Sequence, residues 1–197
     1  HSFLLDALPI SAMVGALTVG NMKFAEFDGL ARESLEMARD LEHRFLDVMQ
    51  RDTEAFNAVS AVFAMPKGTD EEKTARSQAM QQALQGCTRT PFEMMELSLE
   101  ALRLTEGLVD RSNANAASDL GGAALHLGCA IQGAWLNVLI NLGSIRDVAF
   151  AAQYRTRGQI LLDEALPLSR RIYGRILEKI GRAQVRAPVT SRSRMRS

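Results

Sequence analysis

Apolar residues recur at the helical period along nearly the whole chain, and this spacing is the strongest constraint on the fold. Only five prolines occur among the 197 residues, so few positions interrupt the pattern. The spacing predicts a short element over residues 10–24 and long helices over about 27–64, 69–108, 118–142 and 146–180. No segment alternates apolar and polar residues between hairpin turns, as a strand would. The chain is therefore predicted to be all-α, an up-and-down bundle of long helices.

Capping and helix-breaking residues support these boundaries. Pro66 ends the first long helix, and Thr69 with Glu72 forms a capping box that begins the next one. Pro91 is expected to kink or break that second helix, because a proline has no backbone N–H to donate. Ser118 is a natural N-cap for the helix that ends near residue 142.

The segment 118–142 is apolar nearly all round and rich in glycine and alanine. A helix of this kind is usually surrounded by neighbours, and its small side chains let them approach closely. A monomeric bundle of this size rarely buries a helix so completely. We therefore expect one helical domain over residues 1–181 that forms a homodimer through helix packing.

The end of the chain differs from the rest in charge. Residues 182–197 carry five arginines and no acid, whereas the whole chain has a formal net charge of zero, so the remainder is acidic. The basic segment is short and contains no aromatic side chain to stack on a base. We expect it to be a disordered tail, and the acidic body argues against a nucleic-acid partner.

Other bulk features argue against a membrane protein and a metal site. No uninterrupted apolar run reaches the ~18 residues that a membrane span needs. The first residues lack the basic segment of a secretory signal. Cys87 and Cys129 are single cysteines without metal-ligand spacing. These features predict a cytoplasmic protein with no bound metal and no membrane partner.

Asp52 is a carboxylate at a position where the helical pattern requires an apolar residue. The apolar stripe of the first long helix runs through positions 41, 45, 48, 52, 56, 59 and 63. An inward carboxylate loses hydration, which favours its protonated form unless it is paired, and this is the condition for acid/base catalysis near neutral pH. The structural alternative is a buried aspartate paired with an arginine of a neighbouring helix.

Two further polar groups stand out. The segment Asn113–Asp119 has several amide, hydroxyl and carboxylate side chains at a helix start, which suits a ligand but equally suits a well-capped turn. Asn137 and Asn141 lie one turn apart on the most apolar helix, and Asn137 shares a face with Asp119, 18 residues earlier. Buried amides need partners, which a polar substrate or a neighbouring helix could supply.

Together these features resemble the cyclodeaminase/cyclohydrolase family of folate enzymes, over about Ile10 to Ile180. The motifs that carry the resemblance are Leu17–Gly20 (LTVG), Asp52–Val59 (DTEAFNAV), Met65–Lys73 (MPKGTDEEK), Thr90–Phe92 (TPF), Asn113–Asp119 (NANAASD) and Asn137–Leu142 (NVLINL). Each motif is modest alone, whereas six in order at matching spacing are specific.

The resemblance implies an all-helical homodimer that acts on one-carbon derivatives of tetrahydrofolate without a metal or a further cofactor. It implies that Asp52 is the catalytic acid/base residue. It also implies substrate-binding roles for Thr18, Lys23, Phe56, Lys67, Asn113, Asn115, Ser118, Asp119, Asn137 and Asn141.

Three departures from the family pattern concern the substrate site. A glycine-rich segment usually precedes the first small-residue helix, but Pro9 is followed directly by Ile10, so the segment is either deleted or missing from the numbered sequence. In the family a basic pair usually follows the T-x-G motif. Here Asn21 and Met22 replace that pair and only Lys23 is basic, which weakens the case for a polyglutamate site there. Ser112 replaces the usual glycine.

The resemblance leaves two reactions open that the sequence does not separate, and we expect the first. In cyclodeamination, N10 of 5-formimidoyltetrahydrofolate attacks the formimidoyl carbon, ammonia leaves and 5,10-methenyltetrahydrofolate forms. A separate formiminotransferase would then supply the substrate. In the alternative, a methenyltetrahydrofolate cyclohydrolase adds water to the methenyl carbon and yields 10-formyltetrahydrofolate. A third possibility is a catalytically silent folate-binding helical dimer.

Overall fold

The computed structural model describes residue 16 and residues 18–186, with side chains up to residue 182. Within these residues the chain forms helices and no strand, so the predicted all-α fold is confirmed. The four long helices are α1 (Asp28–Phe63), α2 (Asp70–Leu108), α3 (Ala117–Leu142) and α4 (Val148–Arg186). Two short 3₁₀ helices, Met22–Phe27 and Ala114–Ala116, precede α1 and α3.

Helices α2 and α3 form the centre of the bundle. Helix α2 packs against α1, α3 and α4, and α3 packs against α2 and α4. The largest fully buried side chains come from all four helices and include Phe45, Met95, Leu102, Leu127 and Ile172. Their burial is the main driving force for this arrangement, because each large apolar side chain contributes about 1.5–3 kcal/mol when it leaves water.

The connection between α1 and α2 follows the predicted capping chemistry. The Thr69 hydroxyl accepts a hydrogen bond from the Glu72 backbone N–H (3.2 Å). The Glu72 carboxylate accepts from the backbone N–H groups of Gly68 (2.7 Å) and Thr69 (3.1 Å). These bonds satisfy N–H groups that have no partner at a helix start, so α2 begins where the sequence predicts.

Helix α2 continues through Pro91, so the proline does not break the helix. A proline cannot donate to the carbonyl four residues before it, which is that of Cys87. The structure supplies a replacement donor, since the Asn141 side-chain Nδ2 lies 2.7 Å from the Cys87 carbonyl oxygen. An amide on α3 thus replaces the hydrogen bond that Pro91 removes from α2.

Small residues allow α4 to lie close to α3. The Ser169 hydroxyl on α4 donates to the Ala124 carbonyl of α3 (2.7 Å) and sits against Gly128. Gly158 contacts the Trp135 ring so closely that a Cβ atom at this position would overlap it. The glycines and alanines of α3 therefore serve packing within one chain on this side of the helix.

Helix α3 is not surrounded on every side within one chain. Leu120, Leu127, Ile131 and Val138 are buried, but other large side chains of α3 are well exposed, with Leu136 61% and Ile140 71% accessible. The stretch Ala114–Leu142 has the length and mean hydropathy (1.5) of a membrane span, with 39% of its most apolar window buried. One such helix is weak evidence for a span, because core helices pass the same test.

Helix α4 extends beyond its predicted end. It continues to Arg186, six residues past the expected end near residue 180. The predicted boundary between domain and basic tail at residue 182 therefore falls inside this helix. Residues 187–197 lie outside the described part of the chain.

Candidate functional site

Asp52 lies where α1 meets α2. Its side chain is half-buried, and its Oδ1 accepts a hydrogen bond from the Thr90 hydroxyl of α2 at 2.7 Å. Thr90 itself is 5% exposed, so this hydroxyl is held inside the bundle. The carboxylate is thus fixed in direction by a neutral donor on the neighbouring helix.

Cys87 and Asn141 extend this polar group across α2 to α3. Burial raises the pKa of the Cys87 thiol, and the negative charge of Asp52 raises it further. Cys87 lies one turn before Thr90 on the same face of α2. The Cys87 carbonyl is in turn held by Asn141. One continuous polar cluster, formed by Asp52, Thr90, Cys87 and Asn141, therefore joins three helices at one level of the bundle.

The arginine next to Asp52 in the sequence is engaged elsewhere. Arg51 makes a two-pronged ion pair with Glu93 of α2, with both N···O distances at 2.8 Å, and also pairs with Asp47. These hydrogen bonds raise the pKa of the Arg51 guanidinium above its ordinary value. This ion pair fixes α1 against α2 next to Asp52.

The predicted apolar stripe of α1 is buried only in its first part. Phe45 and Val48 are fully buried, but Phe56 is 68% and Phe63 is 66% exposed. Beyond Asp52, Val62 of α1 is buried, whereas these two rings are largely uncovered by the described part of the chain. Phe56 therefore lies in an open position one turn after Asp52, where it can contact a ligand or a second protein chain.

The polar turn before α3 is tied to the N-terminal segment. The Asn113 side chain accepts a hydrogen bond from the Asn115 N–H (3.0 Å), which forms a capped turn. The Asn113 N–H donates to the Thr18 hydroxyl (3.0 Å), and Thr18 is fully buried. Thr18 therefore holds the turn in place, whereas Asn115 is exposed.

The start of α3 differs from the prediction. The 3₁₀ helix Ala114–Ala116 leads directly into α3, which begins at Ala117 with no side-chain cap. Ser118 lies in the first turn of α3 and is not its N-cap, because the 3₁₀ helix already satisfies the first backbone N–H groups. Ser118 is exposed and Asp119 half-buried, so both side chains are accessible.

Two substrate-binding candidates lie outside the Asp52 cluster and outside the polar turn before α3. Lys23 is exposed in the first 3₁₀ helix, and Lys67 is exposed in the connection between α1 and α2. Among the described residues, no group of three His, Cys, Asp or Glu side chains is placed to hold a metal ion.

The candidate residues are divided between the two ends of α3. Asp119 precedes the exposed Asn137 by 18 residues and Asn141 by 22, which at 1.5 Å per residue are separations of about 27 and 33 Å. Asn141 belongs to the Asp52 cluster, whereas Asn113, Asn115 and Ser118 belong to the opposite end. Within one chain the predicted residues therefore form two separate groups.

Sequence reasoning missed Thr90 and Cys87 as members of this cluster. Thr90 was noted only within the TPF motif. The local sequence gives no signal that singles out Thr90, because Thr88 and Arg89 directly before it are polar too. The partner on another helix also cannot be identified from spacing along one helix.

Comparison with known proteins assigns the chain to a family. A model of the formiminotransferase-cyclodeaminase family matches residues 7–159, which is more than half of the chain. The chain belongs to this family. The resemblance found in the sequence motifs is therefore confirmed, and the family is one of folate-processing enzymes.

Two relatives within the family differ in how much of their length they share with the chain. Methenyltetrahydrofolate cyclohydrolase from Methylorubrum extorquens is 34% identical over 169 residues, covering 86% of this chain and 81% of that protein. Formimidoyltransferase-cyclodeaminase from Sus scrofa is 32% identical over 156 residues, covering 79% of this chain. The chain spans only 29% of the length of this second, longer relative.

A solved structure shares the fold. Formiminotetrahydrofolate cyclodeaminase from Thermotoga maritima superposes with a TM-score of 0.73, covering 93% of this chain and 85% of that one. The sequence identity is 22%, so this likeness supports the all-helical architecture and not a particular reaction.

Proposed function

We propose that the chain catalyses acid/base chemistry on the one-carbon unit between N5 and N10 of tetrahydrofolate, with Asp52 as the proton-transferring group. The observation that carries this proposal is the half-buried Asp52 carboxylate, which the Thr90 hydroxyl orients at 2.7 Å beside the open face of α1. A positioned carboxylate of this kind contributes about 10²–10⁴-fold to a rate. The proposed chemistry needs only the folate substrate and water.

Hydrolysis of 5,10-methenyltetrahydrofolate is the reaction we favour. The relative from Methylorubrum extorquens, which matches this chain over most of both lengths, is named for it. Water adds to the methenyl carbon and gives a proton to Asp52. The bond between that carbon and N5 then breaks as Asp52 returns this proton to N5, the remaining hydroxyl gives up its proton to water, and 10-formyltetrahydrofolate results. This relative favours hydrolysis over the deamination that the sequence alone slightly favoured.

Cyclodeamination is the second candidate, because another relative, from Sus scrofa, is named for it. Here N10 attacks the carbon of the protonated formimidoyl group, N5–CH=NH2⁺, and gives its own proton to Asp52. The carboxyl group returns that proton to the departing nitrogen, which leaves as ammonia. Both reactions therefore require one group that takes and returns a proton beside the same carbon. A stand-alone cyclodeaminase would receive its substrate from a separate formiminotransferase.

We also propose that two copies of the chain complete the site. The Asp119 end and the Asp52 end of α3 are about 30 Å apart, farther than one set of side chains can reach. The exposed apolar face of α3, with Leu125, Leu136 and Ile140, offers a surface for a second copy. An antiparallel pair of α3 helices about a two-fold axis would bring the Asp119 turn of one copy beside Asp52 of the other.

The decisive assay compares both substrates with the wild type and with Asp52→Asn. We expect the wild type to consume 5,10-methenyltetrahydrofolate, seen as loss of its absorbance, and Asp52→Asn to lose at least about 100-fold in kcat while it keeps its helical content. Release of ammonia from 5-formimidoyltetrahydrofolate would assign the second reaction. A protein that leaves both substrates unchanged would support the silent folate-binding dimer.

A matched control is Asp47→Asn. This residue lies on the same helix and pairs with Arg51, so it tests whether any loss of charge on α1 lowers activity. We expect Asp47→Asn to retain most of its activity. Near-normal turnover by Asp52→Asn would remove Asp52 from the proposed role.

A further inference from the structure

Thr90 lies in a turn of α2 whose backbone hydrogen bonding is interrupted. The next residue is Pro91, which has no N–H, and the Cys87 carbonyl accepts a hydrogen bond from Asn141 of α3 instead. The Thr90 hydroxyl, from the same turn, donates to Asp52 at 2.7 Å. Because a hydrogen bond weakens steeply as its angle departs from linear, a small shift of this turn would change how the carboxylate is held. Contacts with other helices must therefore keep the turn in place.

An aromatic cluster packs against this turn from the side of α4. Phe92 follows Thr90 by two residues, about 200° round the helix axis, and is 3% exposed. Its ring meets the Tyr154 ring of α4 edge to face, with centroids 4.9 Å apart and an interplanar angle of 84°. The Phe150 ring lies 4.4 Å from the Tyr154 ring. Aromatic pairs of this kind add attraction beyond the burial of their surface, so they fix Phe92 on the side of α2 that is nearly opposite Thr90.

Arg157 of α4 joins this cluster to α2 through two contacts. Its guanidinium carbon lies 4.6 Å from the centre of the Phe92 ring and 5.5 Å from that of the Tyr154 ring. Its Nη2 donates to the Glu96 carboxylate at 2.7 Å, and Glu96 follows Phe92 by one helical turn. A cation is attracted by the electron-rich face of an aromatic ring, and the ion pair keeps the guanidinium over that face. Arg157 therefore fixes both the Phe92 ring and the next turn of α2.

Another ion pair between α2 and α4 lacks this contact with the Pro91 turn. Arg103 of α2 donates through Nε to Glu164 of α4 at 2.9 Å. Arg103 follows Pro91 by twelve residues, about 18 Å along the helix axis. Within the described part of the chain, Arg103 does not lie over an aromatic ring. Arg157 is thus distinguished by its place beside the Pro91 turn and not by its charge alone.

We propose that Arg157 is a positioning residue for the folate reaction. Through Phe92 it holds the Pro91 turn, and this turn keeps the Thr90 hydroxyl bonded to Asp52. The inference rests on the proposed function, because it assumes that Asp52 transfers the proton. Arg157 packs on the side of α2 that faces α4, so this role needs no contact with the substrate. It adds α4 to the three helices that the Asp52 cluster joins.

The kinetic test compares Arg157→Met and Arg157→Lys with the wild type, on whichever of the two folate substrates the wild type turns over. Methionine keeps an unbranched apolar side chain but loses the cation. We therefore expect kcat to fall about threefold or more while KM changes less than about twofold. Lysine can still pair with Glu96 and lie over the ring, so it should recover most of kcat. Arg103→Met removes the other ion pair between the two helices and is the control, which should keep the kcat of the wild type.

A second comparison shows whether Arg157 acts through Thr90. In a Thr90→Val background no hydroxyl is left to orient Asp52, so Arg157→Met should lower kcat by less than about 1.5-fold. Independent roles would instead multiply the two losses in the double variant. A multiplied loss would overturn the proposal, as would an equal loss of kcat in Arg103→Met.

Amide hydrogen exchange tests the same contact without turnover. In Arg157→Met we expect residues 88–95 of α2 to exchange at least about tenfold faster at pH 7, with little change at residues 100–107. Arg103→Met should show the reverse pattern. Faster exchange at residues 88–95 in a protein that turns over neither folate would refute the proposed reaction but keep Arg157 as the residue that holds this turn. Unchanged exchange at residues 88–95 would overturn the inference, and so would faster exchange in an active protein whose kcat is unchanged.

Discussion

At the scale of single residues, the Thr90 hydroxyl is the group that orients Asp52. It is buried and donates to the Oδ1 atom of the Asp52 carboxylate. A carboxylate fixed in this way is held in the orientation that reacts. Such positioning makes a large contribution to enzyme rates. Thr90 acts through Asp52 and is therefore a positioning residue.

Removal of this hydroxyl should lower kcat more than it changes KM. We expect Thr90→Val, which keeps the shape of the side chain, to reduce kcat by about tenfold or more, because a hydrogen bond to a charged group is lost. Thr90→Ser should restore most of the rate. Steady-state kinetics of the three proteins, together with thermal unfolding, provide the check. An equal loss in Thr90→Val and Thr90→Ser would assign Thr90 a packing role only.

The Cys87 thiol reports on the charge of Asp52 without any assay of activity. Burial and the Asp52 charge both raise the pKa of this thiol, so less thiolate is present at pH 8 than for an ordinary cysteine. Asp52→Asn removes the second cause and lowers the pKa of Cys87, so alkylation by iodoacetamide at pH 8 should become faster. The reaction should remain slower than that of a free cysteine, because burial persists.

This measurement is made in a Cys129→Ser background, so that Cys87 is the single thiol. Asp47→Asn serves as the control, and its rate should equal that of the parent protein. An unchanged rate in Asp52→Asn would mean that the carboxylate and the thiol are not neighbours in solution.

At the scale of helices, the contact between Asn141 and Cys87 explains how α2 contains a proline without a break. We expect Asn141→Ala to lower the free energy of unfolding by about 1–3 kcal/mol, because the Cys87 carbonyl loses its donor. In a Pro91→Ala background residue 91 regains its N–H and can donate to Cys87 itself. The same Asn141→Ala change should then lower the free energy of unfolding much less. Urea unfolding of the four proteins of this double-mutant cycle measures the coupling.

Additive effects of the two substitutions would contradict this explanation. A result of that kind would return Asn141 to the substrate-binding role that the family resemblance implies. The two roles are compatible in space, because the contact with Cys87 uses the side-chain nitrogen of Asn141, and its side-chain oxygen, Oδ1, makes no hydrogen bond within the described residues.

The same contact shows what the sequence could and could not predict. The start of α2 was predictable, because Thr69 and Glu72 are three residues apart and cap the helix locally. The role of Asn141 was not, since its partner is 54 residues away and needs a donor only because of Pro91. Asp52 was found because it interrupts a local pattern. Thr90 was missed as the partner of Asp52, because the two residues come together only when α1 packs against α2.

At the scale of the whole molecule, the exposed apolar faces of α1 and α3 suggest a second copy of the chain. Phe56, Phe63, Leu136 and Ile140 are each more than 60% exposed in one chain. Large exposed apolar patches of this kind mark interaction surfaces. The predicted homodimer would cover α3 and would also join the two groups of polar residues that α3 keeps apart.

The most direct test of a shared site mixes two inactive variants. Asp52→Asn and Asp119→Asn should each form a dimer with severely reduced turnover. After the subunits are exchanged, half of the dimers are mixed, and each mixed dimer has one site with both aspartates intact. We expect about a quarter of the wild-type activity to return. No recovery, or near-normal activity of either variant alone, would contradict a folate site built from Asp52 of one copy and the Asp119 turn of the other.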